Sequence, residues 1–239
     1  MSKQKENISN PLIRYFESNK GNLIHKWMHY FDIYHNHFAP YRNKKIVLLE
    51  FGVSHGGSLQ MWRNYFGKKA RIIGVDINPE CKKFATKDIE IYIGSQEDKD
   101  FLQDLMEKIG KVDIVIDDGG HTMIQQRYTF DVVYPFVNDG GVYLAEDLHT
   151  SYWSEFGGGL RAQNSFIEMT KELIDQLHAW HSRDNESLKV NDFTKTTPGI
   201  HFYDSIVVFD KKRIKEPYHK QIGKPMLTTL EKWDYRSGN

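Results

Sequence analysis

The strongest constraint on the fold is a rhythm of short apolar runs. Five of them, Ile46–Phe51, Arg71–Asp76, Ile89–Ile93, Val112–Asp117 and Gly141–Glu146, alternate with stretches of helical spacing at Leu59–Phe66, Asp100–Ile109 and Met123–Phe136. A nearly unbroken run such as Ile46-Val47-Leu48-Leu49-Glu50-Phe51 has no polar side, so its strand must be covered on both faces. Strands alternating with helices make right-handed βαβ units. The pattern predicts an α/β, Rossmann-like fold with a mostly parallel central sheet and helices on both faces. Asn164–His181 reads as a further helix, and Pro198–Asp210 as two strands joined tightly at Asp204.

The flanks are less regular. From Pro11 to Phe38, Ile24, Trp27, Met28, Phe31 and Tyr34 recur at helical spacing, which predicts one or two helices packed as a lid or flank. His25, His29, His35 and His37 fall in the same stretch, but His25 and His29 lack the Glu of a His-Glu-x-x-His zinc motif and read as a polar helix face. Trp27 and His29 are candidates to border a pocket. The first ten residues read as a frayed tail, and the last thirty are basic, Pro-containing and unpatterned. With no repeat and no linker, residues 1–239 read as a single domain: a helical flank over 1–40, a Rossmann-like core over 44–210 and an extension over 211–239.

Composition removes several function classes. Lys plus Arg equals Asp plus Glu at 32 each, so the chain lacks the cationic excess needed to wrap nucleic acid or lie on acidic lipid. Its single cysteine, Cys81, can make neither an intrachain disulfide nor a cysteine-rich zinc site. The polar stretch Met1–Asn10 has no signal-peptide core, and no apolar run approaches the ~18 residues of a membrane span. The chain reads as soluble and cytoplasmic, with no nucleic-acid or membrane partner.

Three readings compete for Glu50-Phe51-Gly52-Val53-Ser54-His55-Gly56-Gly57-Ser58. Gly52-Val53-Ser54-His55-Gly56 matches the nucleophile elbow of hydrolases, although that fold needs strands upstream where this chain looks helical. A dinucleotide fingerprint would place glycines at Gly52, Ser54 and Gly57, and the middle glycine, which admits a pyrophosphate, is missing. S-adenosylmethionine has no pyrophosphate. A Gly-rich turn at a helix start offers N–H groups to its carboxylate, Glu50 could face its amino group, and Asp76 at the end of the next strand could accept both ribose hydroxyls.

The acids carry the most information. Val112–His121 is an apolar strand running into Asp117, Asp118, two glycines and His121, and Gly141–His149 repeats the idea with Glu146 and Asp147. On neighbouring parallel strands these ends lie ~5 Å apart, where open α/β sheets bind ligands. Four gathered carboxylates repel one another unless a cation is present, and oxygen ligands without thiolate suit Mg²⁺, Mn²⁺ or Ca²⁺.

Asp117-Asp118-Gly119-Gly120-His121 with Thr129-Phe130, then Gly140-Gly141-Val142-Tyr143 and Glu146-Asp147-Leu148-His149-Thr150-Ser151-Tyr152-Trp153, resembles the metal-dependent sugar O-methyltransferases of macrolide biosynthesis, the macrocin and mycinamicin type. The likeness runs from about Trp27 to Leu160. It implies a class I methyltransferase fold, S-adenosylmethionine and Mg²⁺ as cofactors, Asp118, Glu146 and Asp147 as metal ligands, and His121 as general base. It also implies Asp117 near the cofactor, Ser95 and Gln96 beside the adenine, and self-association. The sequence departs from the family at Gly120, usually Ser there, and at Gln125-Gln126, often His-Gln.

The expected reaction is metal-assisted methylation of a hydroxyl on a sugar or glycosylated small molecule. His149, Tyr152 and Trp153 are acceptor candidates, and Phe156-Gly157-Gly158-Gly159 reads either as a segment closing over the acceptor or as an ordinary connection. Two alternatives stay open: a non-catalytic S-adenosylmethionine-binding protein and an NAD-dependent oxidoreductase.

Overall fold

The structure, a computed structural model, describes residues 10–184, 186–224 and 226. The frayed tail read over the first ten residues falls outside it except for Asn10, and so does most of the extension beyond Gly223.

Seven strands form one sheet: β1 Val47–Phe51, β2 Arg71–Asp76, β3 Ile89–Ile93, β4 Val112–Asp117, β5 Val137–Ala145, β6 Gly199–Tyr203 and β7 Ile206–Lys211. Their order is β3-β2-β1-β4-β5-β7-β6. Strands β1 to β5 pair in parallel, and β7 runs antiparallel to both its neighbours. Both sides of the sheet are buried. Leu48, Ile72, Ile114, Ile116 and Leu144 face one apolar core, while Leu49, Phe51, Ile73, Val115 and Tyr143 face another. Residues alternate between two cores, which is why the strand runs show no polar side. β1 pairs with β2 on one side and β4 on the other, so strand order reverses there and leaves a crevice above their carboxyl ends.

The helices follow the expected alternation with corrected ends. Helix α1 is Pro11–Glu17, α2 Tyr30–Phe38, α3 Gly57–Phe66, α4 Lys99–Ile109, α5 Met123–Val133, α6 Phe166–Leu177 and α7 Asp192–Thr196. The stretch expected to be helical to Phe136 changes at Val133 into a 3-10 turn, Tyr134–Phe136. Pro135 lacks the N–H and crowds the preceding turn. Asp204 and Ser205 form the two-residue turn between β6 and β7.

The helical spacing through Ile24, Trp27 and Met28 is not realised. Irregular chain runs from Ser18 to His29 between α1 and α2, leaving Trp27 and Met28 exposed. Local turn chemistry wins: Gly21 N–H donates to Asn19 Oδ1, and the Asn19 amide donates to Asn22 C=O. This strap lies across the start of α3, where a Cβ on Gly57 would sit 2.3 Å from the Leu23 carbonyl oxygen. Only glycine lets the two backbones meet. Among the described residues no helix is long and apolar enough to cross a membrane.

Candidate active site

The crevice is built where the glycine loop after β1 meets the acidic segment after β4. Gly52 takes φ +92°, and a Cβ there would lie 1.8 Å from the Asp118 carbonyl oxygen. Ser54, His121 and Asp147 also sit at positive φ, +47°, +57° and +54°. Left-handed backbone is uncommon for such residues and collects at functional sites. Asp76 steadies the loop: its Oδ2 accepts from Val53 and Ser54 N–H, both at 2.9 Å, and its Oδ1 from Asn78 N–H.

Around the crevice, two cavities of about 240 and 230 Å³ share Gly52, Ser54, Asp118 and Gly119 as a common wall. The first also reaches Gly57, Lys26, Trp27, His121, Glu146 and Asp147. The second reaches Asp76, Ser95, Gln96 and Gln125. Of the residues singled out from sequence, Gly52, Ser54, Gly57, Asp76, Ser95, Gln96, Asp118, His121, Glu146 and Asp147 line these cavities, whereas His149, Tyr152, Trp153, Glu50 and Asp117 line neither. Glu50, expected to face a ligand's amino group, is fully buried beneath the loop, accepting from Ser58 Oγ at 2.8 Å and Trp62 Nε1 at 2.9 Å. Asp117, expected near the cofactor, is also buried; its oxygens accept from Gln96 Nε2 at 2.6 Å and the Tyr143 hydroxyl at 2.9 Å. Burial pushes the carboxyls of both Glu50 and Asp117 up to about 7. Asp117 touches the crevice through Gln96, whose Oε1 accepts from Gly120 N–H.

Asp118, His121 and Asp147 each offer a ligand atom, all within 4.8 Å of one another. His121 Nε2 lies 3.4 Å from Asp147 Oδ2 and 3.7 Å from Asp118 Oδ1, while its buried Nδ1 has no hydrogen-bond partner. Burial lowers the His121 pKa against the opposing pull of Asp118 and Asp147, which favours the neutral ring. Glu146 is 1% exposed, and burial followed by repulsion from Asp118 pushes its carboxyl well above the usual range.

Three side chains at this cluster carried no signal strong enough to be found in the sequence. The Tyr30 hydroxyl donates to Asp147 Oδ1 and the Tyr34 hydroxyl to Glu146 Oε1, both at 2.7 Å. Lys26, from the strap, donates to Asp118 Oδ2 and, at 2.8 Å, to Glu146 Oε2. Burial alone would lower the Lys26 pKa, but Asp118, Glu146 and Glu50 outweigh it and raise the value. Lys26 interrupts the apolar stretch Leu23–Met28, the only hint it gave.

The acceptor candidates form a rim, with Tyr152 and Trp153 exposed and His149 half-buried. His149 packs against Trp153 at 4.8 Å between ring centres and against Trp27 at 6.2 Å, and its Nδ1 lies 2.5 Å from Ser205 Oγ. Tyr152 and Trp153 are 46% and 44% exposed. Gly157 and Gly158 fold back locally, with Gly158 N–H donating to the Trp153 carbonyl.

Known proteins with this sequence pattern decide its descent. The chain is 36% identical over 200 residues to 8-demethyl-8-(2-methoxy-alpha-L-rhamnosyl)-tetracenomycin-C 3'-O-methyltransferase of Streptomyces olivaceus, a match covering 80% of this chain and 51% of that protein. To demethylmacrocin O-methyltransferase of Streptomyces fradiae it is 33% identical, over 79% of this chain and 51% of the relative. This chain is a homologue of the macrocin- and mycinamicin-type sugar O-methyltransferases. The fold agrees: the MycE methyltransferase of mycinamicin biosynthesis, solved with Mg and S-adenosylhomocysteine, matches with a TM-score of 0.76 and 30% identity, over 85% of this chain and 54% of MycE. No protein-family model matches the sequence. The homologue spans about half the length of these relatives. The nucleophile-elbow and NAD readings of the glycine loop gain nothing from these relatives.

The residues fit a hard divalent cation. Asp118, His121 and Asp147 converge with carboxylate oxygens and an imidazole, Glu146 lies outside that group and joins Asp118 through Lys26, and the single Lys26 ammonium faces several carboxylates.

Proposed function

We propose that this chain transfers the methyl group of S-adenosylmethionine to a hydroxyl of a sugar or glycosylated small molecule, assisted by a divalent metal. The observation that carries the reading is the convergence of Asp118, His121 and Asp147 within 4.8 Å, in the cavity floored by the glycine loop. Descent supports it, since relatives bear names of sugar O-methyltransferases and MycE was solved with Mg and S-adenosylhomocysteine.

In this reading the cofactor lies across the wall shared by the two cavities. Asp76 takes the ribose hydroxyls, Ser95 and Gln96 border the adenine, and the backbone of Gly52, Ser54 and Gly57 meets the amino-acid end. Asp118 and Asp147 hold the metal, with Glu146 as third ligand. A bound divalent cation supplies Lewis-acid stabilisation to the acceptor oxygen. His121, held neutral by burial, takes the acceptor's hydroxyl proton, and the Asp118 and Asp147 carboxylates stabilise the resulting imidazolium. Tyr30 fixes the orientation of Asp147. The strap carrying Lys26 and Trp27 borders the cavity, and His149, Tyr152 and Trp153 offer ring faces to a sugar. Alignment of acceptor and sulfonium supplies much of the acceleration.

A cytoplasmic setting, consistent with the lone buried Cys81, self-association, and a catalytic core over residues 44–210 belong to the same proposal. The test is methyl transfer from radiolabelled S-adenosylmethionine to a panel of glycosylated acceptors. Transfer that disappears with EDTA, returns with Mg²⁺, and is lost in His121→Ala while S-adenosylhomocysteine still binds supports the reading. Transfer indifferent to EDTA or to His121→Ala contradicts it.

A further inference from the structure

The cluster assigned to a metal already contains a cation of the protein's own. Lys26 Nζ is hydrogen-bonded to Asp118 Oδ2 and Glu146 Oε2, and its side chain is 3% exposed. We propose that Lys26 is a tethered counter-cation: it holds the Asp118–Glu146 pair in the metal-free protein and withdraws, together with its strap, when a divalent cation takes those oxygens. The inference rests on the metal reading above and says how access to that site is controlled.

Two physical facts make the occupants exclusive. In the metal reading both draw on the Asp118 and Glu146 carboxylates, and an ammonium beside a divalent ion there faces strong repulsion. Conversely, withdrawal of Lys26 with nothing in its place would leave the buried Glu146 carboxyl and the half-buried Asp118 beside it without a counter-charge, which is destabilising. The lysine therefore leaves when another cation replaces it, and the coupling runs in both directions.

The strap is built to permit the movement. Lys26 sits in the irregular chain between α1 and α2, with no helical hydrogen bonds to break. Its neighbours Leu23, Trp27 and Met28 are 62%, 56% and 48% exposed, so no apolar core anchors them. Ile24 is buried and the Asn22 N–H donates to Gln60 Oε1 at 3.2 Å, while the Trp27 and Met28 carbonyls accept from the Tyr30 and Phe31 N–H groups at 3.1 and 3.4 Å, so the Lys26 segment moves between an anchor on α3 and one on α2. Since Leu23, Lys26 and Trp27 wall the first cavity, withdrawal widens the space beside His121. Metal loading and acceptor entry are then one event.

Lysine-resolved acylation followed by mass spectrometry tests this on the wild-type chain with S-adenosylhomocysteine present, while electron paramagnetic resonance counts bound Mn²⁺ in the same sample. Lys26 should be protected in EDTA and lose protection by about tenfold or more at saturating Mn²⁺, with the half-exposed Lys99 and Lys171 unchanged. Mn²⁺ bound at a site abolished by Asp147→Asn, with Lys26 still protected, would overturn the exchange while leaving the metal reading intact. No bound Mn²⁺ in either wild type or Lys26→Met would remove the metal reading and the inference with it. Lys26→Met should also bind Mn²⁺ at least about tenfold more tightly; equal or weaker binding counts against displacement.

Discussion

Gln96 joins β3, β4, α5 and the loop after β4 through a single side chain, so its removal should be felt in both stability and ligand binding. It is 8% exposed. Its Nε2 donates to Asp117 Oδ1 at 2.6 Å and to Thr129 Oγ1 at 2.9 Å, and its Oε1 accepts from Gly120 N–H at 3.1 Å. Gln96→Ala removes all three. Asp117 keeps only the Tyr143 donor, and Thr129 and Gly120 N–H lose a partner. A buried group left unsatisfied costs about 1–3 kcal/mol; this applies to Asp117 and Thr129, while water can reach the exposed Gly120 N–H, and because they share one network the costs do not add fully. We expect a loss of about 3 kcal/mol, read from urea unfolding. For a domain of this size that corresponds to a fall in Tm of roughly 6–12 °C. The variant should also bind S-adenosylhomocysteine about tenfold more weakly by calorimetry, since Gly119 and Gly120, which border the second cavity, lose their tie to β3. A stability loss under about 1 kcal/mol, with ligand affinity unchanged, would refute the idea that this amide organises the crevice.

Asp117 should imprint a pH dependence on the metal-free protein. Its carboxyl holds a proton up to about 7 in the native state, against an ordinary value of 3.8. The native state therefore binds more protons than the unfolded chain between those values, and stability falls as pH rises from about 4 to about 7. The full gap, (7 − 3.8) × 1.36, is roughly 4 kcal/mol. Asp117→Asn should make that slope shallower in urea titrations at successive pH values, with the buried Glu50 keeping its own share; a slope identical to wild type would show that Asp117 is not a source of it. Tyr30→Phe removes the donor to Asp147 Oδ1. It should leave the unfolding midpoint close to wild type while weakening Mn²⁺ binding about tenfold, and unchanged binding would deny Tyr30 a positioning role.

The sheet was legible because its central strands are buried on both faces, which leaves an apolar run that few other structures require. Its carboxyl ends were legible too, because Asp76, Asp117-Asp118 and Glu146-Asp147 interrupt or end those runs. What could not be read was direction and distance. Glu50 and Asp117 lie next to the crevice in sequence, but Ser58, Trp62, Gln96 and Tyr143 turn them inward. Those partners become visible only when helix and strands are assembled. Lys26 reaches carboxylates 92 and 120 positions away, a separation at which no local pattern speaks. The strap itself carried helical spacing, and the Asn19-Lys20-Gly21-Asn22 turn overrode it.

Calorimetric titration of the wild-type chain with S-adenosylhomocysteine and, separately, with NAD⁺ tests the central claim most directly. The account predicts saturable one-to-one binding of S-adenosylhomocysteine, lost on Asp76→Ala, and no heat beyond dilution with NAD⁺. Binding of NAD⁺, or failure of S-adenosylhomocysteine to bind the folded protein, would contradict it.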